Sequence, residues 1–386
     1  NSPVENFKPM VAEFAASQNP RIRTIARQMQ WLLEEKQAAD ANPPVAALPP
    51  DLSSRWVQGY GSVLRASDAQ GRETFLTVRA GQSWGHHHMD KGSLWGWFRN
   101  VHFFGDAGWG GPPGPTYGNA YKQGPASGTQ MEFVGITNWT LPCKYPAPWI
   151  SDDAYHPAAG YDYVNARCMY PFNPRLNLQP DNPVALRNGY DRQVLLVHPD
   201  VLIVRDNVET MVPTVWRMHS YQVENLKVQG PVATMPSPQG ITGRLEMVHP
   251  RGVTFGISLV DDLQGTGQPF GLAQGAKDSR GNEAKHDTRN AVLRWDMPRN
   301  TSATWVFGVH EGQEQPPAAT RLDEHGRVTR IALADGRTVI VLMNIEPFVY
   351  QGQGIDFAGT VGLVVIDRSG RATTHAIRAE KLTYQR

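Results

Sequence analysis

Gln193-Val194-Leu195-Leu196-Val197, His198-Pro199-Asp200 and Val201-Leu202-Ile203-Val204 read as a strand, a turn and a returning strand. Valine, isoleucine and leucine suit a pleated, packed surface, whereas Pro-Asp interrupts it. Two runs joined this tightly pair as antiparallel neighbours. Working outward, the same texture recurs at Thr214 to Gln222, Gly243 to Val248, Val253 to Val260, Ala291 to Trp295 and Ala303 to Val309. Two hairpins close the chain, one turning at Asp335-Gly336 and the other at Arg368-Ser369-Gly370. Towards the N-terminus, Ser62 to Arg65 and Thr74 to Val78 form an opening pair, and Leu94 to Phe104 reads as aromatic and mostly extended. From Thr116 to Asn188 the sequence is rich in Pro, Gly, Asn and Tyr and reads as a long irregular excursion. Many short strands with turns between them predict a mainly β protein, an antiparallel sandwich.

Composition agrees. Only 19 % of the 386 residues are charged, while 37 glycines and 30 prolines supply turns. Hydrophobic residues make up 40 %, enough for a sizeable core. A net charge of +1 provides no field for nucleic acid or anionic membranes. No apolar run approaches the ~20 residues needed to span a bilayer. With two cysteines, Cys143 and Cys168, the fold is not built on disulfides, although one bridge would be compatible with an oxidising compartment. The start at Asn1-Ser2-Pro3, with neither methionine nor apolar leader, reads as a mature or excised piece. A secreted or periplasmic location is expected.

The beginning differs in texture. Ser2 caps a helix with Pro3 in its first turn, and Pro20 ends it. A second helix carries Ile22, Ile25, Met29, Leu32 and Leu33 at helical spacing. Prolines 43, 44, 49 and 50 then mark a linker, so residues 1–50 form a helical segment and 51–386 a β domain.

Chemistry concentrates in Gly85-His86-His87-His88-Met89-Asp90-Lys91-Gly92-Ser93 and in Phe104-Gly105-Asp106-Ala107-Gly108-Trp109. On a strand, His86 and His88 share a face and His87 takes the other. Two imidazoles on one face can share a metal, or one can meet substrate while the other binds metal. Asp106, in a glycine turn after an apolar strand, is placed to return a carboxylate beside them. The plainer alternative is a polar strand end and a capped turn.

Together these two segments resemble the signature of the heparinase II/III-like polysaccharide lyases. Asp191 to Val197, Val204 to Val208 and Trp216-Arg217-Met218-His219 are similar to the strands that follow it in that family. The match runs roughly from Ser53 to Leu263. The resemblance implies an α/α toroid followed by antiparallel sheets, with residues 1–50 as the end of the toroid. It also implies β-elimination on a uronate-containing glycan. His86 then faces substrate as a catalytic residue, with Tyr117 and Tyr121 in the glycine-rich loop where the family places a substrate-contacting tyrosine. His88 and Asp106 become ligands of a zinc ion. Trp84, Arg192 and His219 are the expected substrate contacts. Arg192 would hold a carboxylate bidentately, unless it pairs with a buried acid such as Asp206. His219 is otherwise a histidine of the sheet core.

Two departures qualify the resemblance. Nothing before His86 matches the residues that a toroid contributes, so a helical domain or partner chain is expected to complete the cleft. The family's third zinc ligand is a histidine, but Ser127 to Phe133 contains none, and Glu132 is the substitute at hand. The charge balance favours a non-sulfated uronate such as alginate or glucuronan. Two other readings stand beside the lyase: a non-catalytic carbohydrate-binding or assembly module of the same fold, and a cupin-like metalloenzyme. The latter wants a glutamate about where Gly92 and Ser93 stand.

Overall fold

The computed structural model describes residues 54–57, 61–79, 92–105, 129–133, 149–150, 160–169, 189–210, 212–259 and 291–385, with residues 11–13, 15, 16, 18, 23 and 26 nearer the N-terminus. The chain divides into two compact units, Asn1–Ser53 and Ser54–Arg386. In the first, residues 11–13, 15, 23 and 26 are helical, and Val11 and Ala26 are buried.

Among its described residues the second unit is built of antiparallel strands, arranged in three sheets. The first sheet runs β1 (Arg55–Val57), β2 (Gly61–Ser67), β3 (Glu73–Arg79), β4 (Leu94–Phe98), β5 (Val101–Gly105), β11 (Thr214–Ser220), β16 (Ala291–Met297), β15 (Gly256–Leu259), with β6 (Met131–Phe133) also paired to β11. The second runs β12 (Lys227–Gln229), β13 (Val232–Pro236), β14 (Ile241–His249), β17 (Ser302–Glu311), β10 (Val201–Glu209), β9 (Gly189–Val197), β8 (Tyr161–Met169), β7 (Trp149–Ile150). The third runs β18 (Ala318–Arg321), β19 (Val328–Ala332), β20 (Thr338–Gly352), β21 (Ile355–Ile366), β22 (Ala372–Tyr384).

The middle sheet is buried on both faces, because successive strand residues point to opposite sides. Val194, Leu196, Leu202, Val204, Trp305 and Phe307 join the core shared with the first sheet. Their neighbours Leu195, Val197, Val201, Ile203 and Val306 join a second core, shared with Ile331, Val339, Val341 and Leu363 of the third sheet. An uninterrupted apolar run, rather than an alternating one, is what such a strand requires. Ile203→Val is therefore expected to cost ~0.5–1.5 kcal/mol, although Leu202 and Val204 already fill the other side. A denaturant melt shows it; a neutral substitution would mean that the second core does not form.

Most of the expected strands are present, with the one expected from Val253 beginning only at Gly256 (β15), and two stretches hold more than the sequence predicts. Leu94 to Phe104 is mostly extended, as expected, and folds back on itself as a hairpin, β4–β5, turning at Arg99 (φ 50°) and Asn100 (φ 67°). Such a turn needs positive φ at both central residues, and arginine is an unusual choice there. Here the guanidinium is held by Asp200 and Glu314, each at 2.7 Å, which also ties this hairpin to the β9–β10 turn. The excursion from Thr116 to Asn188 contains β6, β7 and β8, and β8 pairs along its whole length with β9. Its polar residues concealed it: buried Asp162 accepts from Ser54 Oγ at 2.6 Å and lies 2.9 Å from His198 Nε2. A further tight turn at Gln353-Gly354 joins β20 to β21, so the closing hairpins share strands. No helix among the described residues is long and apolar enough to cross a membrane.

Candidate functional site

Two segments carry the chemistry expected from the sequence, and both leave and re-enter the first sheet at one knot of hydrogen bonds. Residues 80–91, with Trp84, His86 and His88, lie between β3 and β4. Residues 106–128, with Asp106, Tyr117 and Tyr121, lie between β5 and β6. These six side chains fall outside the described residues, as do Cys143 and the N-terminal linker.

The root of the first segment is closed by Gly92 N–H donating to the Arg79 carbonyl (2.6 Å) and Arg79 N–H donating to the Ser93 carbonyl (2.9 Å). Gly92 has φ +78°, and a Cβ there would lie 2.0 Å from Tyr190 Oη and 2.8 Å from Cys168 Sγ. Only glycine meets both demands. The root of the second is closed by Thr129, whose N–H and hydroxyl both donate to the Gly105 carbonyl (3.1 and 2.5 Å). Thr129 Oγ1 accepts from His219 N–H at 3.1 Å, and its carbonyl accepts from Leu94 N–H at 3.2 Å. Gly105, next to Asp106, pairs with His219 across the sheet.

Arg192 joins the two roots from below. Its guanidinium donates to the Gly92 carbonyl (2.6 Å) and the Thr129 carbonyl (3.0 Å), while Nε and Nη2 grip both oxygens of Asp206 (2.6 and 2.9 Å). Trp305 Nε1 donates to the same carboxylate at 3.2 Å, and the guanidinium lies 5.3 Å from the Tyr190 ring centre. Both Arg192 and Asp206 are fully buried. Burial alone would depress the guanidinium pKa, but the adjoining carboxylate of Asp206 outweighs it and the pKa is raised. Of the two alternatives open for Arg192, the structure adopts the buried pair, and the substrate contact is corrected: a guanidinium this enclosed offers no surface to a sugar.

His219 is also fully buried. Its neighbours Trp216 and Met218 enter the first core, so strand alternation puts His219 on the opposite face with Arg217. It stands at the root of the site, beside Gly105, and its expected direct contact with substrate is corrected in the same way. Glu132, the candidate third zinc ligand, is ion-paired to Arg217. No cluster of three or more His, Cys, Asp or Glu capable of holding a metal occurs among the described residues.

Sequence reasoning missed the wall beside this root. Trp97, His102 and Tyr221 form one column of rings. Trp97 and His102 stack at 3.8 Å between centres and 7° between planes, and His102 and Tyr221 at 4.1 Å and 28°. Burial, partly opposed by a hydrogen bond to the Phe104 backbone, lowers the His102 pKa to about 4, so the column is uncharged at neutral pH. A Cβ at Gly105 would come within 3.0 Å of Tyr221 and 3.3 Å of His102 Nε2. The residue preceding Asp106 thus lies flat against the column. The alternation of Trp95 and Trp97 was the available signal, but their partners come from β5 and from the residue after β11.

No protein-family model matches this sequence, and no curated protein matches it. Solved structures do. Heparan sulfate lyase HepC from Pedobacter heparinus superposes with a TM-score of 0.56 at 11 % identity, over 97 % of this chain and 48 % of that one. A structure of heparinase III gives 0.53 and 11 %, over 96 % and 47 %. The likeness is one of fold. The chain spans about half the length of the structures it matches.

Proposed function

We propose that this chain is the β-sheet portion of a polysaccharide lyase that cleaves a uronate-containing glycan by β-elimination. The observation that carries this reading is the shared root. The segment bearing His86 and His88 and the segment beginning at Asp106 start from one buried knot, on a fold shared with heparinase-type lyases. Two segments anchored to the same guanidinium are suited to present their side chains to one substrate ring.

In this mechanism the C5 proton of a uronate is removed once its neighbouring carboxylate is neutralised, and the leaving O4 takes up a proton. His86 meets the carboxylate or moves the proton, since imidazole titrates near neutrality. Tyr117 or Tyr121 carries the other proton transfer, and Trp84 contacts a sugar face. His88 and Asp106 are donors of the kind that zinc accepts. The described residues add no third ligand, because Glu132 is committed to Arg217, so no step is assigned to a metal. A helical domain or partner chain would supply the facing side of the cleft. A glycan substrate outside the cell fits a secreted or periplasmic location.

The chain alone is expected to be nearly inactive and to gain turnover when a helical toroid is supplied. Absorbance of the unsaturated uronate product, followed on several uronate polymers, measures this. Robust turnover by the isolated chain would show that the sheets carry a complete site.

A further inference from the structure

Strand β11 changes partner in mid-course. At His219 and Ser220 it pairs with β5, whereas from Thr214 to Trp216 it pairs with β6. Between the two, Arg217 N–H donates to the Gln130 carbonyl at 3.0 Å. The chain therefore leaves this line at Gly105 and resumes it at Thr129, with residues 106–128 inserted at the fork. We propose that the Thr129 hydroxyl is a positioning group for the candidate site, fixing where the segment that begins at Asp106 departs from the sheet. The inference rests on the lyase reading for the reaction it serves.

Three observations carry it. The hydroxyl serves both strands at the fork: it donates to the Gly105 carbonyl at 2.5 Å and accepts from His219 N–H at 3.1 Å. A side chain thus bridges a strand pair that a regular ladder would join through backbone alone. Thr129 is also fully buried, so water cannot stand in for the hydroxyl. Finally, the carbonyl of the same residue reaches the other root, accepting from Leu94 N–H at 3.2 Å and from Arg192 at 3.0 Å. One residue therefore touches the end of the segment bearing His86 and both ends of the segment bearing Tyr117 and Tyr121. A lyase must bring groups from the two segments to one sugar ring, and a displacement of about 1 Å can cost ~10²-fold in rate. Valine matches threonine in shape but lacks its hydroxyl. Thr129→Val therefore removes the bridge and keeps the backbone bonds.

Turnover on uronate polymers, measured with the helical partner present, tests this. Thr129→Val is expected to lower kcat about 10–100-fold, with KM changed far less because the groups that bind the sugar are all retained. Thr129→Ser keeps the hydroxyl and should restore most of kcat. Thr77→Val controls for loosening of the same sheet. Thr77 is buried on β3 and its hydroxyl has no partner among the described residues, so kcat should not change. Amide hydrogen exchange read by mass spectrometry adds a measure independent of activity. Exchange over residues 106–128 should rise in Thr129→Val and not in Thr129→Ser or Thr77→Val. Thr129→Ala replaces Thr129→Val if the latter does not fold, and failure of both to fold would make the hydroxyl structural and overturn the proposal. An unchanged kcat in a folded variant without the hydroxyl, or Thr129→Ser or Thr77→Val as slow as Thr129→Val, would overturn it too. If the unaltered protein turns over no uronate polymer, the lyase reading falls and exchange alone judges the hydroxyl. Exchange over residues 106–128 that responds to Thr129→Val would then keep its positioning role, and exchange that does not respond would remove it.

Discussion

Arg192→Ala or Asp206→Ala is expected to destabilise the β unit by about 3–5 kcal/mol, the cost of leaving an uncompensated charge in a dry interior. Neither side chain exposes any surface, so water cannot take over the lost partner. The loss in Asp206→Ala also strips the acceptor from Trp305 Nε1, and the loss in Arg192→Ala frees the carbonyls of Gly92 and Thr129. The double replacement Arg192→Met with Asp206→Leu should cost much less than the sum of the single losses, because apolar side chains of similar size need no compensation. Urea unfolding of the unaltered protein, Arg192→Met, Asp206→Leu and the double variant measures the coupling. Additive single and double effects would mean that the two groups do not compensate each other. The double variant has a second use. It keeps the core filled but no longer ties the two roots together, so a folded protein with reduced turnover beside its helical partner would place the pair's importance in positioning the site.

His86→Ala, with the helical partner present, is expected to lower turnover on the uronate substrate ~10²–10⁴-fold, the usual contribution of a positioned acid or base. The reasoning is chemical. The C5 proton of a uronate is too weakly acidic to leave unaided, and among the residues of its segment an imidazole is the group that changes charge near neutral pH. Stability should not follow activity, since the root of that segment is held by backbone hydrogen bonds at Arg79, Gly92 and Ser93, none of which needs the histidine. Turnover numbers, paired with an unfolding midpoint, separate the two effects. An unchanged turnover number with a folded variant would end the assignment of His86.

Local chemistry made most of the strands legible. Val194 to Val197 and Val201 to Val204 are strands because of their own side chains, and the closing turns at Asp335-Gly336 and Arg368-Ser369-Gly370 follow from residues that tolerate them. The His-rich segment and Asp106 were visible for a similar reason: residue types and short spacings suffice to mark them. What adjacent residues could not specify was anything bought with distant partners. β8 looked irregular because Asp162 needs Ser54 and His198 before a carboxylate can be buried in a strand. The turn at Arg99 became possible only with Asp200 and Glu314.

The candidate site divides along the same line. The sequence by itself determined a mainly β chain, its helical beginning and the segments proposed to hold its chemistry, since periodicity and turn chemistry are properties of neighbours. The tertiary structure alone decided that the middle sheet is buried on both faces and that Arg192 serves Asp206 rather than a substrate. It also decided that Trp97, His102 and Tyr221 form one wall. Arg192 reaches Gly92 across 100 positions and Thr129 across 63. Contacts over such separations depend on which strands the sheet order brings side by side, and that order is set by the burial of whole faces, which no short stretch of residues encodes.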